Sequence, residues 1–303
     1  MKKLFILLAF AALLSACSSS TPSNQIKYSI NLPTMADLNE EAKAKGVSKA
    51  EFYEAVKGIT EDIKEVLTER AEQACKYQDI EIASHSFETK DDKLWGTITF
   101  KRDLLEIPYG LLEHIHANHI ELPAGITSIP DGQFDGNDEL ESIIIPEGVK
   151  YIGRSAFDYC ENLVSVKLPS TLQEIGEDAF STCEKLTDIT LPDGLIEIGE
   201  YAFEDCISLT DLKLPSSLRE IGEEAFAGCE SLTSIEIPKG ITVIKGGAFL
   251  GCTNLAKVKL PSTVEKIEDE AFSHCTALKS INLNKVKEID PSAFDGCDKL
   301  KLD

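Results

Sequence analysis

The stretch that decides the fold is EEAFAGCESLTSIEIP, residues 223–238, because its frame recurs along the second half of the chain. EDAFSTCEKLTDITLP, EYAFEDCISLTDLKLP and GGAFLGCTNLAKVKLP repeat the same order of alanine, phenylalanine, cysteine, leucine and proline. A leucine-rich period in the twenties predicts a repeat solenoid, in which stacked coils complete one another's core. The period is 23 residues, with one interval of 22 at the end, as the phenylalanines show: 134, 157, 180, 203, 226, 249, 272 and 294.

Each coil has the same order of residue types, as the coil that starts at Leu163 illustrates. The apolar residues before Pro169 predict a short strand that pairs in parallel with its neighbours at about 4.8 Å. Proline ends this strand because it lacks a backbone donor. Gly176 predicts a turn that other residues would strain, and Phe180 fills the centre of the coil. Equivalent coils start near Ala117, Leu140, Leu163, Leu186, Leu209, Leu232, Leu255 and Leu278.

Composition excludes one class of partner. The 303 residues are 43% hydrophobic, enough for a sizeable core, and the formal net charge is −22. Nucleic-acid binding requires clustered lysine and arginine, so a nucleic-acid partner is not expected.

The N-terminus predicts export. Lys2 and Lys3 precede an apolar run, residues 4–14, that is too short to span a bilayer. LSAC, residues 14–17, resembles the lipobox of bacterial lipoproteins. The resemblance implies cleavage before Cys17, acylation of Cys17 and a membrane anchor, and Ser18 implies the outer membrane. We therefore expect a signal peptide at 1–16 and a flexible tether at 17–27.

Residues 28–103 predict a small α+β domain. A short strand is followed by a long helix from Ser48 to Tyr77, whose apolar face includes Ile63, Val66 and Leu67. Two alternating runs, residues 79–87 and 93–101, predict a β-hairpin. Cys75 near the helix end is expected to be a buried thiol.

Residues 104–303 resemble the BspA-type (Treponema-type) leucine-rich repeats, beginning with a degenerate cap. The commoner leucine-rich repeat places asparagine three residues after the last leucine of the strand, whereas here Thr171 and Gly194 occupy that slot. The polar column lies instead at the cysteine position, as in the BspA type. The resemblance implies a surface or secreted protein that binds host or bacterial proteins without catalysis, and it names no ligand.

The cysteine column admits four interpretations. Zinc needs about four thiolates around one point, which a straight ladder does not provide. Parallel side chains hold neighbouring Cβ atoms too far apart for the usual disulfide. A nucleophile needs a base, and His274 beside Cys275 points to the opposite face of an extended run. We therefore expect buried thiols that donate to turn carbonyls. The column is Asn137, Cys160, Cys183, Cys206, Cys229, Cys252, Cys275 and Cys297.

Two other groups are candidate metal ligands. His114, His116 and His119 lie within six residues, but no further ligand stands at firm spacing. Carboxylates also recur in two slots and could attract Ca²⁺, although other residues interrupt both slots. A solvated acidic edge is the alternative, and no metal or cofactor is expected. The slots hold Glu177, Glu200, Glu223 and Asp269, and Asp178, Glu224 and Glu270.

The outward positions of the long parallel sheet form the candidate binding surface, because solenoids bind partners along such faces. They carry mixed charge and no aromatic residues: Lys167, Asp188, Asp211, Lys213, Glu236, Lys257 and Lys259. The first hypothesis is a lipid-anchored protein of the cell surface that binds proteins of a host or another cell. The alternatives are an inward-facing periplasmic scaffold, and an enzyme with its site in residues 28–103, for which no catalytic motif is present.

Overall fold

A computed structural model describes residues 24–31, 49–76, 78, 80–90, 93–108, 111–112 and 117–301. Within these ranges it describes every side chain except those of residues 31, 49–59, 74 and 90. The N-terminal part contains β1 (Gln25–Asn31), α1 (Lys49–Lys76), β2 (Ile82–Lys90) and β3 (Lys93–Phe100).

The coils contribute two series of short strands, one on each of two sides. The first series is β4 (His119–Glu121), β6 (Ser142–Ile144), β8 (Ser165–Lys167), β10 (Asp188–Ile189), β13 (Ser234–Glu236), β15 (Lys257–Lys259) and β17 (Ser280–Ile281). The second series is β5 (Ser128–Ile129), β7 (Tyr151–Ile152), β9 (Glu174–Ile175), β11 (Glu197–Ile198), β12 (Glu220–Ile221), β14 (Val243–Ile244), β16 (Lys266–Ile267) and β18 (Glu288–Ile289). The predicted solenoid is confirmed.

Helix α1 and the β2–β3 hairpin occur where the sequence predicts them. The buried line of α1 runs through Leu67, Ala71 and Cys75, one helical turn apart. The prediction for Val66 is wrong, because its side chain is 46% exposed. Successive helical residues point about 100° apart, so the line through Leu67 leaves Val66 at the side of the buried face.

Strand β1 joins the N-terminal part to the solenoid. It pairs antiparallel with β3 on one edge and with β4 of the first coil on the other. The resulting sheet has seven strands, in the order β10-β8-β6-β4-β1-β3-β2. Because β1 begins at Gln25 and buries Ile26, residues 25–27 belong to this sheet and not to the predicted tether. The N-terminal part and the first four coils therefore share one continuous sheet.

The centre of the solenoid is a ladder of phenylalanine rings. Each ring from Phe134 to Phe272 is fully buried and stacks on the next, with centroids 4.8 to 5.6 Å apart up to Phe294. Stacked aromatic pairs stabilise beyond the apolar area they bury, by about 0.5–1.5 kcal/mol each. The ladder runs through the whole stack of coils and gives them one shared core.

The glycine column has a different role from the predicted one. Gly176 and Gly199 do not have a positive φ, but a Cβ at Gly199 would lie 2.6 Å from the carbonyl carbon of Gly176 in the preceding coil. Glycine is therefore required for close approach between backbones. A left-handed φ occurs instead at two other positions of the repeat, mostly in residues other than glycine. The first position holds Ser155, Asp178, Tyr201, Glu224 and Glu270, and the second holds Tyr159, Thr182, Asp205 and His274.

Both parallel sheets are interrupted at the boundary between the coil that starts at Leu209 and the coil that starts at Leu232, here called the open junction. On the first side, the interruption also includes the boundary with the preceding coil, because β10 ends one sheet, β13 begins another, and residues 210–214 between them form no strand. On the second side, β12 ends a sheet and β14 begins the next. The long unbroken sheet that the repeat predicts is therefore divided into two blocks.

Candidate binding surface

The cysteine column forms one hydrogen bond between each pair of neighbouring coils. Each thiol donates to the carbonyl of the phenylalanine in the preceding coil, as Cys183 Sγ does to Phe157 O at 3.2 Å. The same carbonyl accepts the backbone N–H of Cys160 in its own coil at 3.3 Å. The thiol therefore links two coils at a carbonyl that already has one donor. The other members are Cys160, Cys206, Cys229, Cys252, Cys275 and Cys297, with Sγ–O distances of 3.0 to 3.2 Å.

Asn137 occupies the same slot in the first full coil. Its Nδ2 donates to Ala117 O at 3.4 Å, and its Oδ1 accepts the N–H of Glu139 at 3.3 Å. An amide side chain can thus replace the thiol, because both groups supply the donor that the slot requires.

Burial keeps the column protonated. It raises the pKa of Cys252 to about 12 and raises the pKa of Cys183 well above its usual value. Cys75 on α1 is also buried, with its pKa raised to about 11. Since the thiolate is the reactive form, these side chains have the character of packing groups and not of nucleophiles.

Cys297 at the end of the column differs from the rest. Its pKa is lowered by its interaction with the neighbouring Cys275 thiol, and its exposed fraction is 9%. Cys275 is fully buried, whereas His274 beside it is exposed, so this pair shares no face. The eight cysteines that the structure describes are all free thiols.

The two acidic slots lie on the turns next to the phenylalanine ladder. Asp178, Glu224 and Glu270 adopt a left-handed φ there. The pKa of Asp178 is raised, first by partial burial and then by the charge of Glu177. Arg154 bonds to Glu177 across one coil step at 3.1 Å. In the part of the chain that the structure describes, no three histidine, cysteine or acidic side chains converge as a metal site would require.

The histidine cluster is only partly described. His114 and His116 lie outside the described residues. His119 begins β4, where its ring meets Trp95 edge-on with centroids 5.8 Å apart. Burial lowers its pKa, against the opposing charge of Glu121.

The predicted binding residues do not lie on one sheet. Lys167 and Asp188 lie on β8 and β10, before the open junction. Glu236 lies on β13 and forms an ion pair with Lys259 on β15, beside Lys257. Asp211 and Lys213 lie between these two groups, in the segment that forms no strand. All seven side chains are exposed, so the surface is divided but open to solvent.

The open junction contains a cleft that the residue pattern of the repeat does not predict. The cleft has a volume of about 750 Å³. Segment 212–216 forms one wall, and segments 234–239 and 259–261 form the other. Lys239 lines it and was not among the predicted binding residues, because it follows the strand in a loop slot. No signal in the repeat spacing identifies it, since the 23-residue period continues through the cleft.

Among the described residues, no helix combines the length and the apolar character that crossing a membrane requires.

The stacked coils, and the thiol hydrogen bonds that join each coil to the next, define a leucine-rich-repeat solenoid. Residues 77–187 and 173–301 match the family described as the BspA type leucine rich repeat region, in six copies. The match spans more than half of the chain, so the protein belongs to this family, as the sequence predicted. A solenoid of this type is typically a scaffold and not an enzyme.

Solved structures with similar coils come from several bacteria. A leucine-rich repeat protein of T. pallidum is 34% identical, with a TM-score of 0.48, over 52% of this chain and 72% of that chain. A leucine-rich repeat protein of Bacteroides ovatus is 23% identical, with a TM-score of 0.45, over 73% of this chain and 68% of that chain. A leucine-rich cell surface protein of Faecalibacterium prausnitzii is 24% identical, with a TM-score of 0.30, over 72% and 86%. No match to a curated protein was found.

Proposed function

We propose that the protein is a protein-binding module displayed on the bacterial cell envelope, where it captures a protein of a host or of a neighbouring cell. The observation that carries the proposal is the row of exposed polar and charged side chains on one side of the coils, from Lys167 to Lys259. Solenoids present such rows as extended binding surfaces, on which many modest contacts add up along the stack.

The composition of the row favours a protein partner. Lysines and carboxylates are mixed along it, which suits a partner with a matching pattern of charges. It holds none of the aromatic rings on which a carbohydrate surface would depend. Charge complementarity mainly sets specificity and association rate, so affinity is expected to fall as salt rises.

The envelope location rests on the lipobox-like stretch that ends at Cys17. Acylation of this cysteine would anchor the chain, since two or three acyl chains bury many methylene groups at about 0.8 kcal/mol each. The alternative is a scaffold that faces the periplasm, and the same anchor serves both orientations.

Protease shaving of intact cells tests the orientation. We expect the solenoid to be lost from intact cells and the anchor fragment to remain with the membrane. If the solenoid disappears only after the outer membrane is opened, the surface-capture proposal is wrong and the periplasmic scaffold takes its place. A known periplasmic protein serves as the control for leakage.

Photo-crosslinking from defined positions tests the binding face. A photoreactive residue at Lys167 is expected to crosslink to a partner on cells, because this side chain lies in the proposed row. Tyr159 is the matched control, since it is 55% exposed on the turn side of the preceding coil. Crosslinking from Tyr159 without crosslinking from Lys167 would move the binding face to the turns and contradict the proposal.

A further inference from the structure

On the first side of the coils, the open junction and the boundary before it lack backbone hydrogen bonds that other neighbouring coils form. In intact coils, Thr187 N–H donates to Val164 O at 3.0 Å, and Ala256 N–H donates to Thr233 O at 2.9 Å. The 23-residue register places Thr210 N–H opposite Thr187 O, and Thr233 N–H opposite Thr210 O. Within residues 117–301, neither bond forms.

At the other end of the strands, only some neighbouring coils form the equivalent backbone bond. Ile237 N–H donates to Lys259 O at 2.9 Å, and Ile145 N–H donates to Lys167 O at 3.0 Å. Within residues 117–301, the equivalent bond across the junction, from Leu214 N–H to Glu236 O, is absent, as is the bond from Leu168 N–H to Thr190 O between β8 and β10. Strand β13 therefore pairs with β15 on one edge and presents its other edge to the cleft. An exposed edge of this kind is a template for an added strand.

The walls of the cleft also contribute apolar side chains. Leu212 and Leu214 reach the cleft from one wall, and Ile237 and Leu260 from the other. Alternate residues of an added strand would meet this apolar floor while the others face solvent. The volume of about 750 Å³ lies within the usual range of ligand sites.

The charge of the cleft differs from that of the molecule. Three lysines line it, against two carboxylates, in a protein with a net charge of −22. Lys259 pairs with Glu236, whereas Lys213 and Lys239 form no ion pair with any residue from 117 to 301. Asp193 is the remaining carboxylate of the lining. Two unpaired lysines beside a free strand edge favour an occupant that carries carboxylates.

We propose that the cleft binds an extended acidic peptide segment of a protein partner, which adds as a strand to the free edge of β13 while its carboxylates contact Lys213 and Lys239. This proposal deepens the proposed function, on which it rests, by naming the chemistry of one contact. The backbone bonds provide affinity for any extended segment, and the lysines select the acidic ones.

Fluorescence anisotropy with the purified full-length protein tests the proposal. The probe is a labelled heptapeptide in which valine and glutamate alternate, and the matched probe alternates valine and lysine. We expect the glutamate peptide to bind, with an affinity that falls as salt rises, and the lysine peptide not to bind. Absence of binding by the glutamate peptide, or equal binding of both peptides, would overturn the proposal.

A third probe separates strand addition from charge attraction. N-methylation of alternate residues of the glutamate peptide removes the N–H groups of one edge and keeps every carboxylate. Strand addition requires that binding be lost when the methylated edge is the pairing one. Unchanged binding with either set of residues methylated would overturn it.

Variants locate the site. The double substitution K213Q and K239Q is expected to weaken binding of the glutamate peptide about tenfold, which corresponds to two exposed ion pairs. The control is K150Q with K299Q, which removes two exposed lysines that lie outside both the cleft and the proposed row and should leave the peptide affinity unchanged. If both double variants weaken peptide binding equally, the effect comes from the overall charge of the protein, and the assignment of the site to the cleft is wrong.

The two proposals fail in different ways. If the cleft is not a peptide site, the peptides fail to bind, but crosslinking from Lys167 to a partner on cells still occurs. If the protein captures no partner on cells, crosslinking fails whatever the peptide result.

Discussion

At the open junction, the two strand-bearing sides of the coils separate while the side that carries the phenylalanine and cysteine columns, here called the Phe–Cys side, stays closed. Phe226 stacks on Phe249 with centroids 5.5 Å apart, as in the other coils. Phe226 N–H donates to Ala248 O at 3.0 Å, and Cys252 Sγ donates to Phe226 O at 3.1 Å. Across the same boundary neither sheet continues.

The difference teaches which contacts hold coils together. Ring stacking and apolar packing tolerate small changes in distance, whereas a backbone hydrogen bond weakens steeply outside its narrow geometry. A small rotation about the Phe–Cys side therefore removes sheet bonds before it disturbs the core. The Phe–Cys side acts as the spine of the solenoid, because its contacts continue across the junction where both sheets stop.

Local contacts at the junction differ from those of other coils. Thr171 and Thr263 each donate a hydroxyl hydrogen bond to a carbonyl of the preceding coil. Gly240 stands in that slot at the junction and has no hydroxyl. The carbonyl of Leu218 instead accepts a bond from Arg219 at 3.0 Å. Gly194 also lacks the hydroxyl, yet the second sheet continues there, so the missing bond alone does not open the junction.

The largest effect is expected from removing a ring of the spine at the junction. Phe226→Ala should cost about 3–5 kcal/mol of unfolding free energy, because a buried aromatic side chain is lost. Since no sheet bonds bridge the junction, the two blocks should then unfold in separate urea transitions. Phe180→Ala, within the continuous sheets, should cost as much but keep one transition. One shared transition in both variants would show that the sheets do not matter to coupling.

A methyl group at the junction tests how closely the coil corners approach. A Cβ at Gly240 would lie 1.9 Å from Leu218 O, a backbone atom, whereas a Cβ at Gly194 in the same slot would lie 3.3 Å from Ser170 O. Gly240→Ala should therefore cost about 2–3 kcal/mol and Gly194→Ala much less. Thermal and urea unfolding measure both. Equal costs would mean that the corners of the junction are no closer than those of an intact coil.

Removal of a single thiol is expected to have a smaller effect. Cys252→Ala should cost about 1–2 kcal/mol, because the Phe226 carbonyl keeps its second donor, the N–H of Cys229. Cys206→Ala should cost the same, but only Cys252→Ala weakens the bond that crosses the junction. We expect urea unfolding to broaden or split for Cys252→Ala alone. Identical broadening in both variants would contradict a special role for the spine at the junction.

The smallest effect concerns a carboxyl group on the spine. Partial burial raises the pKa of Asp158 to about 6, and the charges of Asp135 and Asp178 add to this. Its Oδ1 is enclosed and has no hydrogen-bond partner among the residues that the structure describes. Because the pKa of this carboxyl is higher in the folded protein, the group stabilises the folded state at pH values below its pKa in the unfolded chain, which is near 4. This stabilisation is lost as the pH rises through 6.

Asp158→Asn should therefore raise the melting temperature at pH 8 by about 2 °C and lose this advantage near pH 4. Asp211→Asn, at an exposed position, is the control for the loss of one negative charge and should change the melting temperature little. An equal gain at pH 4 and pH 8 would mean that packing, and not charge, separates Asp158 from Asn.

Much of the fold follows from the repeat, because the residues within one coil determine most of the structure of that coil. The position of Phe180 in the centre, the inward direction of Cys183 and the strand before Pro169 all depend on neighbours within one period. The role of Gly176 could not be derived in this way. Its turn has an ordinary φ, and the need for glycine comes from the backbone of another coil.

The candidate surface was only partly predictable. Alternation along a strand identified which side chains point outward, and Lys167 and Lys259 do so. Alternation does not report whether neighbouring strands pair, so Asp211 and Lys213 were placed on a sheet that does not form there. Lys239 lies outside the strand pattern and enters the surface only because the cleft opens beside it.

The sequence by itself determined the class of fold, the family, the order of the coils and the buried thiol column, because a short period encodes each of them. Only the tertiary structure decided that β1 completes the sheet of the first coil, and that both sheets open between the coil that starts at Leu209 and the coil that starts at Leu232. These features depend on the angle between successive coils and on contacts such as that between Ser29 and His119, which are distant in sequence. Side-chain spacing within one repeat carries no information about that angle, whereas the packing of whole coils sets it.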